Sequence, residues 1–186
     1  MPLATTASRA TTTESLLGLL TLGPLSGYQI RQLIEESIGN FWTESFGQIY
    51  PTLKRMAADG LVTVEESQDG KRVKKTYSLT GLGERHLREW LAMPVSVQVP
   101  RNELLLKLFF GDRAELEDVR RLVETRRELL ADRLGRLRAI EQQISSVHAG
   151  HPGLPYWLMT VRYGVAETTA LLGWCDECLK TFKEMS

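Results

Sequence analysis

The chain has 186 residues, and 42% of them are hydrophobic, enough for a real core in one domain or two small ones and too many for a disordered chain. Its 23 Lys and Arg match its 23 Asp and Glu, which excludes a globally basic nucleic-acid binder but leaves room for a local basic patch. No apolar run approaches the ~20 residues of a membrane span, and the two cysteines, Cys175 and Cys178, are too close and too few for a disulfide framework.

The opening "MPLATTASRATTTE" lacks an apolar core for secretion and is expected to be a flexible tail over residues 1–13. Thr11 and Glu14 have capping-box spacing, and "SLLGLLTLG" after them predicts a short helix buried on several sides, ended by Gly23-Pro24. A second box, Ser26 to Gln29, opens a helix with Ile30, Leu33, Ile34 and Ile38 on its inner stripe. A third, Ser45 to Gln48, opens "SFGQIYPTLKRMAADGLV". Short strands "LVTVEES" and "KKTYSLT" flank the turn dipeptide Asp69-Gly70, and Thr80 caps a helix through Leu87, Trp90 and Leu91. Three helices, a hairpin with a basic turn and a further helix make a winged helix-turn-helix over residues 14–92.

Residues 93–100, "MPVSVQVP", hold two prolines and read as a linker. The remainder, 101–186, is helical throughout. "NELLLKLFF" predicts a short apolar helix. A long helix carries Leu116, Val119, Val123, Leu130, Leu137, Ile140, Ile144 and Val147 in steps of three and four, once Arg126 and Arg133 are allowed to interrupt the seam. At 1.5 Å per residue it is about 50 Å long. "HAGHPGLP" breaks it, and a last helix repeats the pattern through Leu158, Val161, Val165, Thr168, Leu172, Cys175, Leu179 and Phe182. Two such seams make an antiparallel helical hairpin. The fold class is mainly α, a winged helix followed by a helical C-terminal domain.

Pro51 poses the functional question. An interior proline costs a helix about 3 kcal/mol. On a wheel, Phe46, Ile49, Leu53 and Met56 share one face, while Gly47, Pro51, Lys54, Arg55 and Ala58 lie opposite, flanked by Gln48 and Tyr50. The proline therefore points away from the core and its conflict falls on the Gly47 carbonyl. The outer face is small, smooth and partly basic, which suits a DNA major groove. "QDGKRVKK" sets Lys71, Arg72, Lys74 and Lys75 around one turn, a natural phosphate contact. The rival reading is a winged helix that binds only protein, with Tyr50 as its anchor. Salt dependence separates the two, because DNA binding weakens steeply with salt.

"LLGLLTLGPLSGYQI", "SFGQIYPTLKRMAADGLV" and "KTYSLTGLGERHLREWL" resemble the PadR family of bacterial transcriptional regulators, above all in the Ile49-Tyr50-Pro51 triplet and the Tyr77, Thr80, Gly83 spacing after a basic wing. "ELLLKLFFG" and "VRYGVAE" with "LLGW" resemble the longer C-terminal helical domain of PadR itself and of related virulence activators. The resemblance implies a cytoplasmic homodimer that binds double-stranded DNA at an inverted repeat and usually represses, with the helical domain making most of the dimer contact. It implies DNA-facing roles for Tyr28, Ser45, Gln48, Tyr50, Pro51, Lys54, Lys71, Arg72, Lys74 and Lys75, to which the helical wheel adds Arg55. Some members bind planar effectors, for which Phe109, Trp157 and Tyr163 are the candidates in this chain.

No cofactor and no metal are expected. Cys175, Cys178, His148 and His151 invite a zinc or redox reading, but Cys175 lies in an apolar seam and the histidines flank a Gly-Pro break. An enzyme is not expected either. There is no glycine-rich phosphate loop and no nucleophile elbow, and Glu35-Glu36 and Glu65-Glu66 point their members apart.

Overall fold

The computed structural model describes residues 4–42, 46–69, 72–95 and 101–185, without the side chains of residues 4–10, Phe46, Asp69 and Arg72. The chain divides into two compact units, residues 1–97 and 98–186.

The first unit runs α1 (Ala4–Leu20), β1 (Leu25–Ser26), α2 (Gly27–Glu36), a 3-10 turn (Ile38–Asn40), α3 (Phe46–Ala58), β2 (Val62–Asp69), β3 (Arg72–Leu79) and α4 (Gly81–Leu91). Helix α1 starts at Ala4, not after a cap at Thr11, so the flexible tail expected over 1–13 is corrected for residues 4–13. The segment looks simple but holds no glycine or proline to break a helix. Thr12, Thr13 and Glu14 are buried, and Glu14 turns away from any capping role to pair with His86 Nε2 of α4 at 2.7 Å. The box at Ser26 forms in both directions: the Gln29 amide donates to Ser26 Oγ (3.3 Å) and the Ser26 amide to Gln29 Oε1 (2.9 Å). Thr80 Oγ1 accepts from the Gly83 amide at 3.1 Å and so caps α4 as its spacing predicts. The box at Ser45 lies outside the described residues.

Leu16, Leu17, Leu19 and Leu20 of α1 meet Ile30 and Ile34 of α2, Ile49, Leu53 and Met56 of α3, and Tyr77 of β3 in one core. Strands β2 and β3 form an antiparallel hairpin, with Val62 opposite Leu79 and Asp69 opposite Arg72. The two-residue β1 adds to β3, pairing Leu25 with Tyr77. That third strand was not expected from the sequence. It ties the start of α2 to the root of the hairpin.

The second unit runs α5 (Glu103–Phe109), a 3-10 turn (Gly111–Arg113), α6 (Leu116–Val147) and α7 (Leu154–Met185). Asn102 caps α5, its side chain accepting from the Leu105 amide at 3.2 Å. The seam between α6 and α7 packs Val123 and Leu130 with Cys175, while Val119 and Leu137 of α6 and Thr168 of α7 are buried as well. Val147, placed in the seam by its spacing, is exposed as the last residue of α6. Arg133 interrupts the apolar row because it reaches Glu167 of α7 at 3.3 Å; Arg162 of α7 likewise reaches Glu141 of α6 at 2.7 Å. Gly164 lets the helices close: a Cβ there would lie 3.2 Å from Leu137 Cδ1. No described helix is long and apolar enough to cross a membrane.

Candidate nucleic-acid interface

Helix α3 divides as its wheel predicts. Ile49, Leu53 and Met56 are at most 1% exposed, and Thr52 joins them at 3%. Gly47, Gln48, Tyr50, Pro51, Lys54, Arg55 and Ala58 face solvent. Pro51 sits in an unbroken helix, so its missing donor and its ring are accommodated on the open side. The result is a firmly seated helix that offers one amide, one phenol and one ammonium group on a low-profile surface.

Arg55 is exposed yet engaged. Its Nη2 donates to Thr13 Oγ1 of α1 at 3.1 Å, which fastens α3 to the helix beneath it. Thr13 thus supports α3, a contact that no local sequence signal carries. Tyr28, beside the Ser26 cap at the start of α2, is 63% exposed, and Tyr50 is 59% exposed. Tyr28 is therefore available at the surface.

The hairpin sorts its cations by strand face. Lys75 stands opposite Glu66 and Lys74 opposite Ser67. Lys75 Nζ meets Glu66 Oε1 at 2.8 Å. The hydrogen bond and charge of Glu66 raise the Lys75 pKa, so the carboxylate already shares this ammonium. Lys74 lies on the opposite strand face, with Ser67 across from it, and is in no ion pair among the described residues. Lys71 and Ser45 lie outside the described residues, as does the Arg72 side chain.

The three effector candidates are not brought together. Phe109 is 80% exposed and packs edge-on against Phe110 at 5.0 Å. Trp157 stacks on His151 at 4.6 Å, at the turn between α6 and α7. Tyr163 is 66% exposed. Among the described residues no group of three or more His, Cys, Asp and Glu could hold a metal ion. Burial pushes both thiols, Cys175 and Cys178, upward in pKa, which makes them poorer nucleophiles and ligands.

Residues 16–89 match the model of the transcriptional regulator PadR-like family, and residues 100–183 match that of the virulence activator alpha C-terminal domain. The negative transcriptional regulator PadR of Bacillus subtilis is 38% identical over 99 residues, which span 52% of this chain and 54% of that protein, so the match takes in about half of that relative. A probable transcriptional regulator of Mycobacterium tuberculosis is 29% identical over 171 residues, 86% of this chain and 90% of that one. The crystal structure of Bacillus subtilis PadR with operator DNA superposes with a TM-score of 0.82 at 24% identity, over 92% of this chain and 99% of that one, and establishes the shared fold. The structure of the same protein with p-coumaric acid superposes with a TM-score of 0.76 at 25% identity, over 92% and 98% of the two chains. These relatives are regulators of transcription and not enzymes. Residues 16–89 thus form a PadR-like transcriptional-regulator unit of winged-helix fold, followed over residues 100–183 by a virulence-activator-type helical domain.

Proposed function

We propose that this regulator is a cytoplasmic repressor that binds an inverted-repeat operator as a homodimer, reading the major groove with α3. The observation that carries this reading is the outer face of α3, where Gln48, Tyr50, Pro51 and Lys54 are exposed over a helix whose other side is fully packed. Gln48 and Tyr50 contact base edges, and Tyr28, Ser45 and Lys54 hold the neighbouring backbone. Arg55 steadies α3 through Thr13 as well as adding charge. In the wing, Lys71, Arg72 and Lys74 hold phosphates, with a smaller share for Lys75 because Glu66 already occupies it.

A twofold assembly is supported by the apolar surface of the second unit. Leu105, Leu106, Phe109 and Phe110 are 50%, 59%, 80% and 57% exposed within a stretch of six residues. A second copy is the ordinary cover for such a surface. Dimer binding then places two α3 helices on half-sites one DNA turn apart, or a multiple of that. An aromatic carboxylate is the favoured inducer class, on the likeness to a PadR that is known with p-coumaric acid. Phe109, Trp157 and Tyr163 are its candidate contacts, completed by the partner copy since they do not converge within one chain.

A salt titration of DNA binding tests the reading. Affinity falls steeply between 50 and 200 mM salt if several phosphates are neutralised, by about a thousandfold for six contacts. A salt-independent interaction favours the protein-binding alternative with Tyr50 as the anchor.

A further inference from the structure

Gly27 is the first residue of α2, and Tyr50 lies in the second turn of α3. A Cβ at position 27 would stand 2.5 Å from Tyr50 Cε1, 3.1 Å from Cζ and 3.2 Å from Cδ1. All three obstructing atoms belong to one ring. The Gly27 backbone does not adopt a positive φ, so an alanine would otherwise be accepted there. What keeps position 27 bare is the tyrosine.

We infer that Gly27 is a positioning residue for Tyr50, the seat on which one edge of its ring rests while the rest faces outward. This rests on the reading of α3 as the recognition helix. Gly27 is buried although it opens a helix, while Tyr50 keeps 59% of its surface exposed. The seat is itself fixed, since the Ser26–Gln29 box locks the first turn of α2 from both sides. A ring laid against rigid backbone has fewer rotamers to lose when it meets DNA. A side chain at position 27 evicts the ring from that geometry, so Gly27 sets base reading without touching a base.

A double-mutant cycle tests this with wild type, Gly27→Ala, Tyr50→Ala and the double variant. Each is measured against the duplex most enriched from a random-sequence pool and against an unrelated duplex, together with its thermal midpoint. Gly27→Ala loses about tenfold affinity for the enriched duplex, the size of one good base contact, with little change on the unrelated one. In the Tyr50→Ala background the same substitution costs no further affinity and no stability, because the obstruction is gone. Equal losses in both backgrounds overturn the inference and make Gly27 a folding residue only. So does wild-type discrimination by Gly27→Ala. If the midpoint shows the ring coupling while neither substitution alters discrimination between duplexes, the packing stands but Tyr50 reads no bases, and both the positioning role and the assignment of α3 fail.

Discussion

The two units use the same apolar residues to different ends. In the first, Leu16, Leu17, Ile30, Ile49, Leu53 and Met56 come from three helices and are all 1% exposed or less. In the second, the buried apolar residues are few, Val119, Val123, Leu130, Leu137 and Cys175 with Thr168 beside them, while Leu105, Leu106, Phe109 and Phe110 remain at least half exposed. Three helices and a sheet can surround a core, but two long helices share only one line of contact. The first unit therefore closes a core of its own, and the use proposed for its α3 face is polar recognition. The second keeps apolar surface in reserve, and the proposed dimer is the use for it.

That contrast can be broken by substitution. Leu53→Ala removes a fully buried side chain from the closed core and is expected to cost about 3–4 kcal/mol in urea unfolding. A loss under 1 kcal/mol contradicts the core as described. Charging the exposed row with Leu106→Asp and Phe109→Asp is expected to leave the helical circular dichroism intact but to produce monomers in sedimentation at micromolar concentration. Persistence of a dimer moves the interface elsewhere. Lys74→Ala is expected to lower the slope of log affinity against log salt by about one and to weaken all duplexes alike, whereas Lys75→Ala does less, being already paired with Glu66. The reverse ranking removes the distinction between the two strand faces. Replacing both cysteines, as Cys175→Val with Cys178→Ala, is expected to shift stability by about 1 kcal/mol and leave DNA binding untouched. Coupled loss of binding and of a bound metal revives a metal role.

How much could be read in advance follows the same division. The local signals of the first unit were explicit: the Ser26 box, the Thr80 cap and the two-faced helix around Pro51 were all legible, and each depends on residues within about one turn of one another. What escaped notice depends on distance along the chain. Arg55 meets Thr13, His86 meets Glu14, and Leu25 pairs with Tyr77. The first of those contacts puts Thr13, which read as the end of a tail, against α3. In the second unit the heptad-like steps foretold the hairpin and its seam. Gly164 went unnoticed because a close approach between helices leaves no periodic mark, and Arg133 read as an interruption because its partner Glu167 lies on the other helix. The candidate site was legible at α3 and only in part in the wing. Four basic residues suggested one patch, but strand register gives Lys75 to Glu66 and leaves Lys74 on the other face.

The most direct test of the central claim is selection of bound duplexes from a random DNA pool by the full chain. The account predicts enrichment of a twofold-symmetric motif whose half-sites are separated by about one helical turn or a multiple of it, with Gln48→Ala changing the preferred bases within each half-site. A pool that stays random, or a motif without symmetry that Gln48→Ala does not alter, contradicts it.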